Sequence, residues 1–279
     1  MRGSAPSMRV GRVGRFQVWG VTHRRVGTTN WRGACDWLLC TGAIALAWLC
    51  GLAFGNLFLG IPFHVDAARG VIYTGGLVNL LSPFALLCSV LSVTILILLG
   101  ACYTAMKTGR DLARRAAHAG IIAAGIFVVA FIVAGVMVIF SLEGYRILGE
   151  TAPRTVCFSP GAWLDNYIKW QWLWAAPLLT LLGALLACWL LLLRWTDAAF
   201  VASCIVPAGA LLTAGFALFP FLMPSSENPN HSLTVWDVAS TPTLRVVLFA
   251  VIALPLLLAY AASVTRVLRR GIGLGYDQN

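Results

Sequence analysis

The sequence predicts an all-α integral membrane protein, a polytopic bundle of six transmembrane helices with both termini in the cytoplasm. Two observations predict this fold class. Hydrophobic residues make up 59% of the 279 positions and charged residues only 11%, whereas soluble domains carry about 25% charged residues. The apolar residues also fall into six long runs, and the basic residues concentrate in alternate connections between those runs.

Each helix is predicted from a stretch that lacks Asp, Glu, Lys and Arg and that reaches the roughly 20 residues needed to cross a bilayer. A transmembrane β-barrel would alternate polar and apolar residues, and these continuous apolar runs do not. The predicted spans are, in chain order, 36–56, 79–105, 117–141, 171–193, 199–222 and 246–264.

Basic residues determine the predicted orientation. Lys and Arg concentrate in the segment 1–35, in the second and fourth connections and in the tail, while the intervening loops are close to neutral. Because cytoplasmic loops of membrane proteins carry the excess of Lys and Arg, both termini are expected to be cytoplasmic and the odd-numbered loops to face outward. Trp163, Tyr167, Trp170, Trp172 and Trp174 cluster at one predicted boundary, where we expect them to lie among lipid headgroups.

Three regions follow from this organisation: a basic leader over 1–35, the transmembrane bundle over 36–270 and a cytoplasmic tail over 271–279. The leader lacks the apolar core of a secretory signal peptide. It is expected to be disordered or aberrant, and three origins stay open: an organelle transit peptide, a polybasic arm at the membrane surface, or a misassigned start upstream of a broken gene.

Residues that could carry chemistry inside the membrane are scarce. Haem ligation needs His, Met or Cys within the spans, yet the four histidines lie in the leader, in loops or near a helix end, and Met137 and Met223 lie near span ends. The charged residues Asp36, Glu143, Asp197 and Arg245 also lie at span ends, which argues against a self-sufficient ion pump. We therefore expect no catalytic residue, no metal site and no cofactor bound by this chain alone, and the eight cysteines are interpreted as packing residues. The histidines are His23, His64, His118 and His231.

Three segments rich in proline and glycine stand out at predicted outer helix ends. The first runs from Phe54 to Asp66, the second comprises 73–76 and 80–84, and the third comprises 213–226 with 232–237. Proline removes a backbone donor and fixes φ, so Pro220 and Pro224 should kink or stop the fifth helix, with Ser225 and Ser226 available to the freed polar groups.

These segments resemble subunit II of the cytochrome bd ubiquinol oxidases. The resemblance rests on the blocks Ala53-Phe54-Gly55-Asn56-Leu57 through Asp66, Tyr73-Thr74-Gly75, Leu81-Ser82-Pro83-Phe84, Thr213 through Ser226 and Ser232 through Asp237, in the family's order. The resemblance spans roughly 37–270. It begins at about the family's third helix, so the acidic motifs of the first two family helices have no counterpart, and the count of six is expected to be eight minus two.

The resemblance implies a subunit of a terminal oxidase in the bacterial inner membrane that oxidises ubiquinol or a related quinol and reduces dioxygen to water. Haem b and haem d would lie in a partner subunit I, and the other partners would be membrane lipid and quinone, with no nucleic acid. The positions proposed as structural or subunit-contact residues are Asn56, Gly60, Pro62, Phe63, Asp66, Pro83, Pro220, Phe221, Pro224, Ser225, Ser226, Trp236 and Asp237. Two alternatives stay open, a small-molecule permease or exporter subunit and a nonfunctional remnant of the oxidase gene.

Overall fold

The computed structural model describes residues 29–65, 71–73, 75–148 and 155–238. Helices dominate this part of the chain, and five of them are long and apolar enough to cross a membrane. In chain order the α-helices are α1 (Thr29–Leu59), α2 (Pro83–Lys107), α3 (Arg110–Phe140), the short α4 (Asp165–Lys169), α5 (Ala175–Leu192), α6 (Thr196–Leu218) and the short α7 (Val235–Val238).

The long helices match five predicted spans, and the sixth, 246–264, lies outside the described residues. Helix α1 begins at Thr29, so its first two turns fall within the segment 1–35 that the sequence assigned to the leader. The predicted span 171–193 begins as a 3-10 helix over Gln171–Trp174 before α5 continues it. The span predicted to end at 222 ends at Leu218, two residues before Pro220, which confirms that this proline follows a helix end.

Four of the long helices form a ring. Helix α2 packs against α3 and α6, and α5 packs against the same two helices, while α1 packs on the outer side of α2. The centre of the ring combines the large side chains of Leu98, Phe127 and Val206 with many alanines. Small residues allow membrane helices to approach closely, which replaces the hydrophobic driving force that is missing in lipid. The alanines are Ala105, Ala123, Ala124, Ala184, Ala187, Ala199 and Ala202.

Helix α1 contacts α2 through two glycines that are four residues apart. A Cβ atom on Gly51 would overlap the carbonyl oxygen of Cys88, and one on Gly55 would overlap the Cα of Ala85. Gly33 and Gly42 on the same helix have no such neighbour within 4 Å. The pair therefore acts as a small-xxx-small contact, in which the missing side chains let two backbones touch.

Short antiparallel hairpins occupy one end of the bundle, so the loops contain β-structure that an all-α prediction does not include. Strand β1 (Phe63–Val65) pairs with β2 (Val71–Tyr73), β3 (Glu143–Leu148) with β4 (Thr155–Pro160), and β5 (Phe221–Met223) with β6 (Leu233–Thr234). The connections α2–α3 and α5–α6 lie at the opposite end and are only a few residues long. All three segments singled out in the sequence thus emerge at the same end.

Candidate functional site: the loop cluster

The residues predicted as a site come together at the hairpin end of the bundle. We call this region the loop cluster and define it as residues 56–65, 77–84, 143–148, 155–167 and 219–236. It joins the ends of all five long helices, and its hydrogen bonds connect parts of the chain that are far apart in sequence.

Asn56 links the first and second predicted segments. Its side-chain amide donates to the carbonyl of Leu52, one turn earlier in α1, and to the carbonyl of Leu80, each at 2.8 Å. Leu80 ends the 3-10 helix that precedes α2. Helix α2 then begins with Ser82 as its cap, whose side chain accepts from the amide of Ala85, and with Pro83 at its first turn, where a missing N–H costs nothing. Asn56 thereby holds the start of α2 against the end of α1.

Gly60 ends α1 in the left-handed region, with φ of 83°. A Cβ there would overlap the hydroxyl of Tyr145 and would lie 3.2 Å from the amide nitrogen of Ser226. Only glycine meets both demands, because the left-handed conformation disfavours a side chain and no space is left for one. The glycine is therefore required by the contact between α1, β3 and the third predicted segment.

Ser225 connects the first and third predicted segments. Its buried hydroxyl donates to the carbonyl of Phe63 at 2.5 Å, and its amide donates to the hydroxyl of Ser232 at 3.0 Å. Two backbone bonds run alongside, from the amide of Ile61 to the carbonyl of Pro224 at 2.9 Å and from the amide of Ser226 to the carbonyl of Ile61 at 3.1 Å. The chain leaving α1 is thus bonded to the chain leaving α6 as a short parallel bridge.

An aromatic core fills the space beneath these bonds. The Trp163 ring is only 1% exposed and lies 5.6 Å from the rings of Phe58 and Tyr145 and 6.4 Å from that of Phe221. Phe84 meets Phe58 edge to face at 5.8 Å, an arrangement that aromatic pairs favour. The five rings come from the two ends of the α1–α2 connection, from the α3–α5 connection and from the segment after α6, and they hold these three regions together.

The connection between α3 and α5 caps the end of α6. The side-chain amide of Asn166 donates to the carbonyls of Phe216 and Phe219, and the hydroxyl of Tyr167 donates to the carbonyl of Thr213 at 2.8 Å. Asn166 therefore satisfies the carbonyl of Phe216 in the last turn of α6, which lacks a partner within the helix, and that of Phe219 just beyond it, while Tyr167 anchors the same connection one turn earlier. On the outer surface, Arg146 and Asp165 form a two-bonded ion pair at 2.6 Å.

The buried phenols of the loop cluster remain protonated at neutral pH. Burial raises the pKa of Tyr145 to about 12, with the Glu143 carboxylate acting in the same direction, and burial also raises the pKa of Tyr167 to about 12. Their hydroxyls therefore serve as hydrogen-bond donors and do not exchange protons in the physiological range.

The remaining predicted residues differ in what surrounds them. Phe63 and Pro224 are buried, and Pro62 and Pro220 are half-buried. The Pro220 carbonyl accepts from the amide of Val235 at 2.9 Å.

Trp236 is half exposed and its ring lies 6.3 Å from that of Phe219. Asp66 lies outside the described residues, and for Asp237 only the backbone, within α7, is described.

Sequence reasoning missed the inner part of the loop cluster. Trp163 and Tyr167 were expected among lipid headgroups, but they are 1% and 4% exposed because the connection after β4 folds over the bundle. Sequence reasoning assigned no role to Tyr145, and it named Ser232 only as the start of a block. Trp170, Trp172 and Trp174 are 53%, 65% and 43% exposed, so their position among lipid headgroups stays a prediction.

The His and Met side chains considered as haem ligands lie near the ends of described helices or in loops. His118 is exposed near the beginning of α3, and His231 lies in a 3-10 turn of the loop cluster. Met137 is half-buried and Met223 is 39% exposed in β5. Across the ranges that the structure describes, no group of three His, Cys, Asp or Glu side chains converges as a metal site would require.

Comparison with known proteins places the chain in one family. Residues 16–268 match the family described as cytochrome bd terminal oxidase subunit II. Cytochrome bd-I ubiquinol oxidase subunit 2 of Escherichia coli K12 is 38% identical over 261 residues, which cover 88% of this chain and 68% of that protein. The probable cytochrome oxidase subunit 2 of Haemophilus influenzae is 37% identical over 246 residues, 85% of this chain and 65% of that protein.

The fold has a counterpart among solved structures. A chain in the structure of bd oxidase from Geobacillus thermodenitrificans superposes with a TM-score of 0.63 at 16% identity, over 91% of this chain and 70% of that one. The present chain thus spans about two thirds of the length of the relatives it matches. With its five long apolar helices, the chain is a multi-pass membrane protein, and it belongs to the cytochrome bd terminal oxidase subunit II family.

Proposed function

We propose that the chain is the non-haem-ligating subunit of a cytochrome bd-type quinol oxidase in the bacterial inner membrane. The complex would oxidise ubiquinol or a related quinol and reduce dioxygen to water, with haem b and haem d held by a partner subunit I. The observation that carries this proposal is the family match over 16–268, which extends across every long described helix. The position of His118, Met137 and Met223 near helix ends or in loops supports placing both haems in the partner.

The orientation proposed from the basic residues agrees with the architecture. Lys107, Arg110, Arg114 and Arg115 lie at or near the α2–α3 connection and Arg194 at the α5–α6 connection, both opposite the loop cluster. An excess of basic residues on one side favours a cytoplasmic position for that side. The loop cluster would then face the periplasm, where its folded hairpins would cover the outer end of the bundle.

The first half of α1 is the proposed contact with subunit I. The exposed faces of α3 and α5 carry large aliphatic side chains such as Ile132, Val136 and Leu182, which suit lipid. Helix α1 is the least buried of the five long helices in the described part of the chain, and beside large side chains such as Trp37 and Leu38 it exposes the small residues Thr41 and Gly42. Small residues favour helix-to-helix contact in a membrane, so this face suits a helix of the partner.

Co-purification tests both parts of the proposal. The tagged chain would be expressed with the haem-bearing subunit, and the purified material assayed for subunit ratio, haem absorption and quinol-dependent oxygen consumption. We expect equal amounts of the two subunits and oxidase activity, and the Gly42→Val variant should lower the yield of partner several-fold while the chain itself still folds. A tagged chain that purifies without the haem subunit would contradict the proposed function, and a strong haem spectrum from the chain alone would contradict the assignment of the haems to the partner.

A further inference from the structure

Basic side chains gather at the end of the bundle opposite the loop cluster. Five of them lie on or next to the α2–α3 and α5–α6 connections, and all five are exposed. The acidic residues next to the same two connections, Asp111 and Asp197, are also exposed and leave the positive charge in excess. We call the five cations the basic patch, and they are Lys107, Arg110, Arg114, Arg115 and Arg194.

The basic patch keeps its hydrogen-bond donors available. Within the ranges that the structure describes, none of its five side chains forms a hydrogen bond or an ion pair. At the opposite end of the bundle, by contrast, Arg146 pairs with Asp165. Like charges held close together repel one another, so an anion among them would be attracted by several side chains at once.

The two connections lie side by side, because α3 and α5 pack together and run in opposite directions. A Cβ on Gly120 of α3 would lie 2.8 Å from Cδ1 of Leu191 in α5. Arg115 precedes Gly120 by five residues. Arg194 follows Leu191 by three residues and donates its amide to the Leu191 carbonyl at 3.1 Å. At about 1.5 Å per helical residue, both arginines lie roughly 4–8 Å beyond the contact along the helix axes, so one ligand could contact both connections.

Arg194 has a backbone conformation that suits glycine. Its φ is 62°, and it is the only non-glycine residue with a positive φ among those that the structure describes. A side chain strains the left-handed conformation, and glycine would adopt this turn freely. The turn itself therefore gives no reason for an arginine here, and residues held in such sparsely populated conformations concentrate at functional sites. What the arginine adds at this position is its guanidinium group.

Exposed indole rings indicate the depth of the basic patch in the membrane. Trp189 of α5 and Trp195 of the α5–α6 connection are 62% and 66% exposed. Indole rings favour the headgroup level of a bilayer, because they combine an apolar body with one polar N–H. The anion present at that level is lipid phosphate, whose oxygens match the parallel donors of a guanidinium.

We propose that the basic patch is a binding site for the phosphate headgroup of an anionic phospholipid, with contacts from Arg194 and from the arginines of the α2–α3 connection. The proposal depends on the membrane location of the bundle and not on the oxidase reaction. An anionic lipid is favoured over a zwitterionic one, because clustered Lys and Arg next to membrane helices attract net negative charge and a zwitterionic headgroup brings its own ammonium close to the arginines.

Lipid titration of the purified complex tests the proposal. Phosphatidylglycerol or phosphatidylcholine is added in mild detergent, and bound lipid is counted by native mass spectrometry. Inorganic phosphate, added as a competitor at the same concentration, distinguishes a free phosphate from a lipid headgroup. Arg194→Gly removes the guanidinium and relieves the strained turn, so its unfolding temperature without lipid should not fall. Lys169→Gln is the control, since Lys169 is an exposed cation beside the exposed Trp170 at the loop-cluster end.

We expect the wild-type complex to bind phosphatidylglycerol several-fold more tightly than phosphatidylcholine, Arg194→Gly to lose most of this preference and Lys169→Gln to keep it. A phosphatidylglycerol with a photoreactive headgroup should label peptides from 107–115 or 193–197 in the wild-type complex, and this readout does not depend on how well a variant folds. Equal affinity for the two lipids, equal losses in both variants, displacement by inorganic phosphate, or labelling confined to other segments would each overturn the proposal.

Discussion

The loop cluster and the helical ring beneath it are held together in different ways. In the ring, buried hydroxyls such as those of Ser89, Thr180 and Ser203 donate to carbonyls of their own helices, and the helices meet through alanine and glycine. In the loop cluster, hydrogen bonds link residues as far apart as Ser225 and Phe63. The bilayer explains the difference, because a helix satisfies its own backbone whereas a loop needs partners from elsewhere.

The comparison separates two kinds of sensitivity to mutation. The ring should respond to added volume, since its contacts depend on how closely backbones approach. The loop cluster should respond to the loss of single polar atoms and to backbone strain, because its conformation depends on individual donors and on glycine torsions. Matched pairs of variants can test each expectation.

The largest effect is expected at Gly55, where added volume meets backbone. Gly55→Val would push α1 away from Ala85 of α2, and overpacking of this kind costs about 3 kcal/mol. Gly100→Val is the control, since a Cβ on Gly100 of α2 meets no atom within 4 Å. Thermal unfolding in detergent should show a clearly lower unfolding temperature for Gly55→Val and little change for Gly100→Val. Equal decreases would mean that the α1–α2 contact is not limited by side-chain volume.

A smaller effect is expected at Gly60, where strain and overlap combine. Gly60→Ala should cost about 2 kcal/mol, since the left-handed conformation alone costs about 1–2 kcal/mol and the Tyr145 hydroxyl must also move. Gly161 has φ of 75° with open space around it, so Gly161→Ala should show the strain alone, about 1 kcal/mol. Chemical denaturation measures the free energy of unfolding of both variants. If Gly161→Ala lowers it as much as Gly60→Ala does, the overlap with the Tyr145 hydroxyl contributes nothing.

The smallest of the three effects is expected at Ser225. Ser225→Ala leaves the carbonyl of Phe63 without its hydroxyl donor, and a buried unpaired group costs about 1–2 kcal/mol. Ser226→Ala keeps the backbone bond from its amide to Ile61 and should change stability by less than about 0.5 kcal/mol. Limited proteolysis of the loop after α1 offers a local readout, in which faster cleavage is expected only for Ser225→Ala.

Composition predicted the helical class because long apolar runs have few other structures available to them. The five matching spans differ from the observed helices mainly at their ends, where caps and 3-10 turns decide the boundary. The Gly51 and Gly55 contact was not predicted, since glycine spacing does not show which neighbour lies opposite. Trp163 was misplaced for a related reason: an indole ring suits a membrane interface, and only the fold of the connection after β4 buries it.

The site could be predicted as a set of segments and not as a set of contacts. Proline and glycine marked the segments, and the structure brings Asn56, Gly60, Phe63, Phe221 and Ser225 into one region. Their partners came from elsewhere in the chain, including Leu80, Tyr145 and Ser232. Pairing between such distant positions depends on helix packing, which leaves little trace in a single sequence.

The bond between Ser225 and Phe63 also has a consequence for biosynthesis. Its two residues are 162 positions apart, and a ribosome adds about 5–20 residues per second. The turn that follows α1 therefore waits for many seconds, until four further long helices have been made, before its final partner exists. During this interval the carbonyl of Phe63 lacks its final donor, so the turn cannot reach its native structure before the later helices have been made.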